Sequence, residues 1–309
     1  MVLEDRFGRP LLNLRVSVTQ RCNLHCPYCH REGQEKRPEN SVVEMMSDEI
    51  IRIVRVAVGL GITDIKLTGG EPLLRRDILS IIQGIASIKG LKDLSMTTNG
   101  TLLAPLARHL HNYGLQRVNV NIPTLNHKTY RDLLGGDLRS VLDGIGEAVD
   151  AGFSPVKLNM LVLKGVNDGE IWRMADYARE SGTVLQLIEL EPINVSPEYF
   201  AKYHMTLDVF EEELKAKATS VKVREFMHNR RVYSLPGVDV ELIRPTENTE
   251  FCLHCSRLRV TSDGRLKPCL MRKDNLVDVL TPMRNGASDE EIAQLFRHMC
   301  QIREPYYHG

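Results

Sequence analysis

Three cysteines, Cys22, Cys26 and Cys29, have the spacing C-x3-C-x2-C. Thiolates so placed can ligate three metals of a four-iron cube and leave one iron open. A fully ligated cluster only passes electrons, whereas an open iron can bind and polarise a cofactor or substrate. The spacing also admits a structural zinc knuckle with His25 or His30 as fourth ligand. A second set, Cys252, Cys255 and Cys269, is spaced C-x2-C-x13-C, and there a structural zinc completed by His254 competes with a cluster. Arg257 and Arg259 follow at alternate positions of a strand, so both guanidinium forks point the same way, as a polyphosphate or carboxylate requires. Considered alone, such a pair equally suits a solvated edge strand. The remaining cysteine, Cys300, shares a helical pattern with Ile292 and Phe296 and reads as a buried, inert thiol.

The elements that must position these residues show as alternating patterns. Strands are expected over 14–18, 63–67, 93–96, 117–122, 156–163 and 184–190, each ending in a polar or glycine-rich turn. Those turns include the cysteine loop, Gly69-Gly70-Glu71-Pro72, Thr97-Thr98-Asn99-Gly100 and Glu191-Pro192. Helical patterns separate them. One starts near Ser47, with Asp48 and Glu49 in its first turn and Ile50, Ile51, Ile53, Val54 and Val58 as its stripe; a second covers 76–88. A strand and helix recurring about every 30 residues is the length of a right-handed crossover, so six parallel strands bring their turns to one rim. The fold class is α/β, a partial (β/α)6 TIM-like barrel. From about residue 205 the pattern changes to a helix over 207–215 and closely spaced strands over 221–226, 231–235 and 238–243. We divide the chain into 1–204, the barrel, and 205–309, a small β-rich layer that carries the second cysteine set and closes the barrel. Residues 34–40 are the expected mobile loop.

Forty Lys and Arg balance forty Asp and Glu over 309 residues, so no global field draws the chain to nucleic acid or to an anionic membrane. An anion site must be a local concentration of charge. Residues 1–6 carry no apolar run, and nowhere do about 18 consecutive apolar residues occur, so neither a secretory signal nor a membrane span is expected. Two three-cysteine metal sites suit a reducing compartment, and the expected location is cytoplasmic.

The first cysteine loop, with the aromatic Tyr28 before its third thiol, resembles the radical S-adenosylmethionine (SAM) superfamily. Joined to Leu67-Thr68-Gly69-Gly70-Glu71-Pro72, Thr97-Thr98-Asn99-Gly100, Val156-Lys157-Leu158-Asn159 and the segment FC-x2-C-x-R-x-R-x-T-x-D-G-x4-CL from Phe251, it resembles the GTP 3',8-cyclase family over about residues 6–272. The resemblance implies a 4Fe-4S cluster on Cys22, Cys26 and Cys29 that binds SAM and yields a 5'-deoxyadenosyl radical. It also implies a second 4Fe-4S cluster on Cys252, Cys255 and Cys269 that holds the guanine ring. The implied reaction is hydrogen abstraction at ribose C3' of GTP and closure onto C8, giving 3',8-cyclo-7,8-dihydro-GTP, the first step of molybdenum cofactor biosynthesis. By the same resemblance Tyr28, Gly70, Asn121 and Glu191 contact SAM, and Arg15, Lys66, Thr97, Lys157, Arg257, Leu258 and Arg259 contact GTP. No catalytic residue is assigned beyond the cluster ligands. An electron donor, the next enzyme (cyclic pyranopterin monophosphate synthase) and a homodimer are the implied partners.

The chain departs from the bacterial pattern at named places. Asn121 and Pro123 stand where serine and aspartate are common, Gln186 where an arginine lies near the phosphates, Glu191 where methionine is usual, and Lys66 where many relatives have arginine. The tail Pro305-Tyr306-Tyr307-His308-Gly309 has one terminal glycine instead of two, which we take as the mark of an archaeal-type member. Two rivals stand beside this resemblance. A radical SAM enzyme with an auxiliary cluster acting on a peptide would call for an extra peptide-recognition domain, and no N-terminal extension is visible. A two-zinc binding protein, for instance one that takes RNA, would call for exposed aromatics among basic residues, against electroneutrality and a single tryptophan.

Overall fold

The structure is a computed structural model that describes residues 2–35 and 43–307. Of the expected mobile loop, residues 36–40 lie outside the described residues, as do His308 and Gly309 of the tail.

The first half alternates strand and helix: β1 (Asn13–Ser17), α1 (Ser47–Gly59), β2 (Asp64–Thr68), α2 (Ile78–Ala86), β3 (Asp93–Thr98), α3 (Ala107–Asn112), β4 (Arg117–Asn121), α4 (His127–Leu134) and α5 (Leu138–Asp150). It continues through β5 (Val156–Val162), α6 (Ile171–Glu180) and β6 (Val184–Glu189). After α7 (Pro197–Tyr203) and α8 (Asp208–Lys217) come β7 (Ser220–Arg224), β8 (Arg230–Leu235), β9 (Val238–Ile243) and α9 (Thr249–Leu253). The chain ends with β10 (Arg257–Val260), β11 (Arg265–Lys267), β12 (Val277–Asp278), α10 (Leu280–Arg284) and α11 (Asp289–Ile302). Period-two burial makes the strands: in β5, Val156, Leu158, Met160 and Val162 are buried and the residues between them are not. Period-3.6 burial makes the helices: α1 buries Ile50, Ile53, Val54 and Ala57, and the Glu49 carboxylate accepts the Met46 N–H at 2.7 Å to fix its start. Each such aliphatic side chain contributes about 1.5–3 kcal/mol by leaving water. Cys300 is buried in α11 beside Ile292 and Phe296, as its pattern indicates.

All strands join one sheet in the order β12-β11-β10-β1-β2-β3-β4-β5-β6-β9-β8-β7. Every neighbouring pair from β10 to β9 is parallel, so their C-terminal ends share one rim. The six expected strands are present in the expected order. The C-terminal β-rich region adds to both edges of their sheet: β10 pairs with β1 and β9 with β6, and the strands beyond them are antiparallel. These additions satisfy the backbone groups that β1 and β6 would otherwise leave bare. No described helix is long and apolar enough to cross a membrane.

Register then decides what the concave face displays. Arg259, Arg15, Lys66 and Ser95 stand side by side across β10, β1, β2 and β3. Thr97, Asn119 and Lys157 form a second row across β3 to β5, and Asn121, Asn159, Gln186 and Glu241 a third across β4, β5, β6 and β9. The intervening Leu14, Val16, Leu67 and Leu158 belong to the apolar core. A barrel whose inner rows are guanidinium, ammonium and amide does not fill itself with aliphatic layers. It leaves a polar cavity.

Candidate functional site

That cavity has a volume of about 310 Å³, and all six cysteines of the two sets line it. The first set sits on the loop leaving β1, and its shape is fixed by the turn after β2. Gly70 N donates to Thr19 O at 2.7 Å and Glu71 N to Arg21 O at 2.8 Å. A Cβ at Gly69 would lie 2.4 Å from Thr19 O, and one at Gly70 would lie 2.2 Å from Arg21 O. The glycine pair is therefore demanded by the chain's own cysteine loop, before any cofactor approaches. Glu71 is buried and accepts from Leu73 N, Thr98 Oγ1 and Asn99 N at 3.0, 2.8 and 2.7 Å, which ties the turns after β2 and β3 together. Asn99 Nδ2 in turn reaches Cys22 Sγ at 3.9 Å.

Burial, and after it Cys29 and Cys22, push the Cys26 thiol up to about 12, and burial raises Cys22 and Cys29 as well. These thiols influence one another, and metal charge is what would convert them to thiolates. The second set is presented by α9, whose Asn248 cap accepts the Phe251 N–H at 2.9 Å, and by the segment after β11. Burial opposes the Cys255 thiolate, but Arg303, the Arg257 backbone N–H and the Arg257 and Arg259 guanidiniums outweigh it and hold the thiol below its ordinary value.

Among the described residues no three His, Cys, Asp or Glu side chains could hold one metal ion. Two sets of free thiols turned toward one cavity suit a polynuclear cluster at each set better than mononuclear zinc. Of the three histidines that could have completed zinc sites, His30 lines the cavity and His25 and His254 do not. His254 Nδ1 lies 3.0 Å from Glu250 O and 3.3 Å from its Oε1, outside the cavity lining. His30 Nδ1 accepts the Glu32 N–H at 3.0 Å, and His25 is exposed and does not line the cavity.

Between the cysteine sets the wall is cationic. Glu32, buried on the loop after Cys29, lies 3.6 Å from Arg15 Nη1 and 3.4 Å from Arg259 Nε. Burial works against its carboxylate, but Arg15, His30 and Arg259 hold it down to about 2. Glu241, fully buried on β9, faces Lys157 Nζ at 2.8 Å, Arg224 Nη1 at 3.1 Å and Arg230 Nη1 at 3.2 Å, and also accepts from Gln186 Nε2. Burial brings Lys157 down to about 8 and Arg230 to about 10 against the pull of Glu241. Lys66 and Arg257 have no carboxylate partner among the described residues: Lys66 Nζ donates to Asn119 Oδ1 at 2.7 Å, and Arg257 Nη2 meets only Met227 Sδ at 3.4 Å. Burial first, then Arg15 and other cations, push both well below their ordinary values. The cavity is short of negative charge.

Of the residues singled out from sequence, Tyr28, Gly70, Asn121 and Glu191 line the cavity, as do Arg15, Lys66, Thr97, Lys157, Arg257 and Arg259. Leu258 is the exception: its side chain is fully buried in the apolar core, because it falls between two inward arginines, so only its backbone can serve the site. Gln186 is bound to Asn119 Nδ2 at 2.8 Å and to Glu241, so it belongs to the wall's internal network. Sequence reasoning missed Glu32, Glu241, Arg224, Arg230 and His228. The last is buried, stacked on Phe251 at 3.8 Å between ring centroids, and its Nδ1 has no partner among the described residues. The tail residues Glu304, Pro305 and Tyr306 also line the cavity.

Comparison with known proteins finds matches along nearly the whole chain. Residues 16–178 match the family described as Radical SAM superfamily, and residues 183–309 match Molybdenum Cofactor Synthesis C. A protein of Thermococcus kodakarensis named "Probable GTP 3',8-cyclase" is 50% identical over 99% of this chain and 100% of its own length. One of the same name from Methanothermobacter thermautotrophicus is 45% identical over 99% of each. Among solved structures, Streptococcus suis SuiB bound to S-adenosylmethionine superposes with a TM-score of 0.64 at 15% identity over 89% of this chain, which spans 65% of SuiB. Native anSMEcpe with bound AdoMet gives 0.56 at 17% identity over 85% of this chain and 76% of that one. At such identities these two show the fold alone.

Proposed function

The chain belongs to the GTP 3',8-cyclase family of the radical SAM superfamily, and from that premise we propose that it converts GTP to 3',8-cyclo-7,8-dihydro-GTP, opening molybdenum cofactor biosynthesis. The observation that carries the proposal is a single cavity lined by two three-thiol sets, with Lys66 and Arg257 between them lacking carboxylate partners among the described residues. SAM and two 4Fe-4S clusters are the cofactors; when bound, the first cluster with SAM supplies a hydrogen-abstracting radical and the second an open iron for the base.

This chain's residues bind, orient and shield. Cys22, Cys26 and Cys29 hold the first cluster, and Cys252, Cys255 and Cys269 the second. Tyr28, Gly70, Asn121 and Glu191 surround SAM; the Asn121 Oδ1 already accepts from Asn159 Nδ2 at 2.9 Å, which leaves its amide N–H groups to donate. Arg15, Lys66, Lys157, Arg257 and Arg259 take the triphosphate, with Thr97 beside them, Arg224 and Arg230 reaching the same cavity from the β7–β8 hairpin, and Leu258 serving through its backbone. Paired guanidiniums fix an anion in both position and angle, which is how binding energy orients a reacting ribose. Residues 1–204 supply the SAM side and 205–309 the base side. We place the enzyme in the cytoplasm as a homodimer, drawing on an electron donor and passing its product to cyclic pyranopterin monophosphate synthase.

The test is anaerobic turnover of the iron-sulfide-reconstituted protein with SAM, dithionite and GTP deuterated at C3'. The released 5'-deoxyadenosine gains deuterium, and the gain disappears with Cys255→Ala. SAM cleavage without deuterium transfer would discard GTP as the substrate.

A further inference from the structure

Behind the second cysteine set the two ends of the described chain meet in a buried ionic cluster. Asp5, Arg9 and Arg303 are 5%, 3% and 1% exposed. Asp5 Oδ2 accepts from Arg9 Nε at 2.8 Å and from Arg303 Nη1 at 2.7 Å, and its Oδ1 takes the Phe7 and Arg9 backbone N–H groups at 3.0 and 3.1 Å. The arginines then reach toward the thiol set: Arg9 Nη1 donates to Cys252 O at 3.0 Å, and Arg303 Nη2 donates to Cys255 O. Arg303 Nε has no acceptor among the described residues.

Two guanidiniums share one carboxylate, so a positive charge is left over in a place that water does not reach. An uncompensated buried charge is strongly unfavourable unless a counter-charge lies beside it. The groups placed to provide it are the three thiolates of the cluster that the proposed function puts on Cys252, Cys255 and Cys269. Among the described residues no buried guanidinium donates to a carbonyl of Cys22, Cys26 or Cys29, and the Asn99 that reaches Cys22 Sγ is itself held by the buried carboxylate of Glu71. The reduction potential of an iron-sulfur centre follows net charge, hydrogen bonding and exposure.

We propose that Asp5, Arg9 and Arg303 are positioning residues for the second cluster, fixing Cys252 and Cys255 through their carbonyl groups and favouring its more negative redox state. The second cluster therefore has the higher reduction potential of the two. One electron enters from the chemical reductant, and no bond or proton moves. The proposal rests on the reading that this cysteine set carries a 4Fe-4S cluster.

Redox titration with dithionite, followed by electron paramagnetic resonance, tests it on the full chain and on two forms with Cys22, Cys26 and Cys29, or Cys252, Cys255 and Cys269, replaced by alanine. The form retaining the second set titrates at the higher potential; equal potentials, or the reverse order, would overturn the proposal without any change behind the cluster. Arg303→Gln then lowers the second cluster's potential and Asp5→Asn raises it, with the first cluster unmoved and Arg303→Lys restoring the original value. General loosening would shift both variants the same way, and that result would also overturn the proposal. Absence of iron and sulfide from the form lacking the first set would mark failure of the underlying cluster assignment instead, and the proposal would fall with it.

Discussion

Lys157 shows how a single side chain in this cavity links protonation to binding. Burial lowers it to about 8, against the pull of Glu241, while Arg224 and Arg230 crowd it from the same carboxylate. A bound polyphosphate favours the ammonium form and raises the value again. Below about pH 8 the free Lys157 side chain already carries its proton, so this group takes none up and adds no pH dependence to GTP affinity. Above it, binding must take up a proton, and affinity falls by up to about tenfold per pH unit. Equilibrium binding of GTP to reconstituted protein between about pH 7 and about pH 9 checks this. In Lys157→Arg the group stays charged throughout, so the slope disappears; an unchanged slope in the variant would assign the titration to another group.

At the scale of elements, the turn after β2 acts as a template for the cysteine loop. Gly70 has no room for a Cβ against Arg21 O, and that carbonyl is itself held by the Glu71 N–H. Gly70→Ala must therefore displace the loop that carries the first thiols and leave β10 and α9 untouched. Iron and sulfide content after reconstitution falls by about half, with the second cluster's resonance retained. Gly146→Ala, where nothing lies within 4 Å of the added carbon, keeps both clusters and serves as the control. Elements of this kind were readable in the chain because their signals are local: alternation marks β1 to β6, and cysteine spacing marks both thiol sets. Arg224, Arg230 and Glu241 were not readable as site residues, although the strands that carry them were recognised. Their role depends on β9 joining β6, a pairing between segments about 50 residues apart that no periodicity announces. Glu32 was hidden for a different reason, since it sits on the irregular loop after Cys29 in a left-handed conformation, φ 51°.

The molecule as a whole is electroneutral, so its attraction for a polyanion has to be built by folding. The sheet does this by placing Arg259, Arg15 and Lys66 in one row and bringing Lys157, Arg224 and Arg230 around Glu241, with Arg257 close by. Two of these cations, Lys66 and Arg257, are held well below their ordinary pKa values, first by burial and then by Arg15 and other neighbouring cations. The folded state thus carries a strain that the unfolded chain, with its charges dispersed in water, does not. A ligand that supplies negative charge to the cavity relieves that strain only in the folded state, and it shifts the unfolding equilibrium by mass action, by about 2.7 kcal/mol when present at about 100 times its Kd. Thermal unfolding of the cluster-free protein consequently rises in the order guanosine, GMP, GDP, GTP, and inorganic triphosphate alone raises it. Arg257→Gln removes part of the strain, so the ligand-free variant melts no lower than the parent while its gain from GTP shrinks. Equal protection by guanosine and GTP would mean that the base, and not the phosphates, is what this cationic wall recognises.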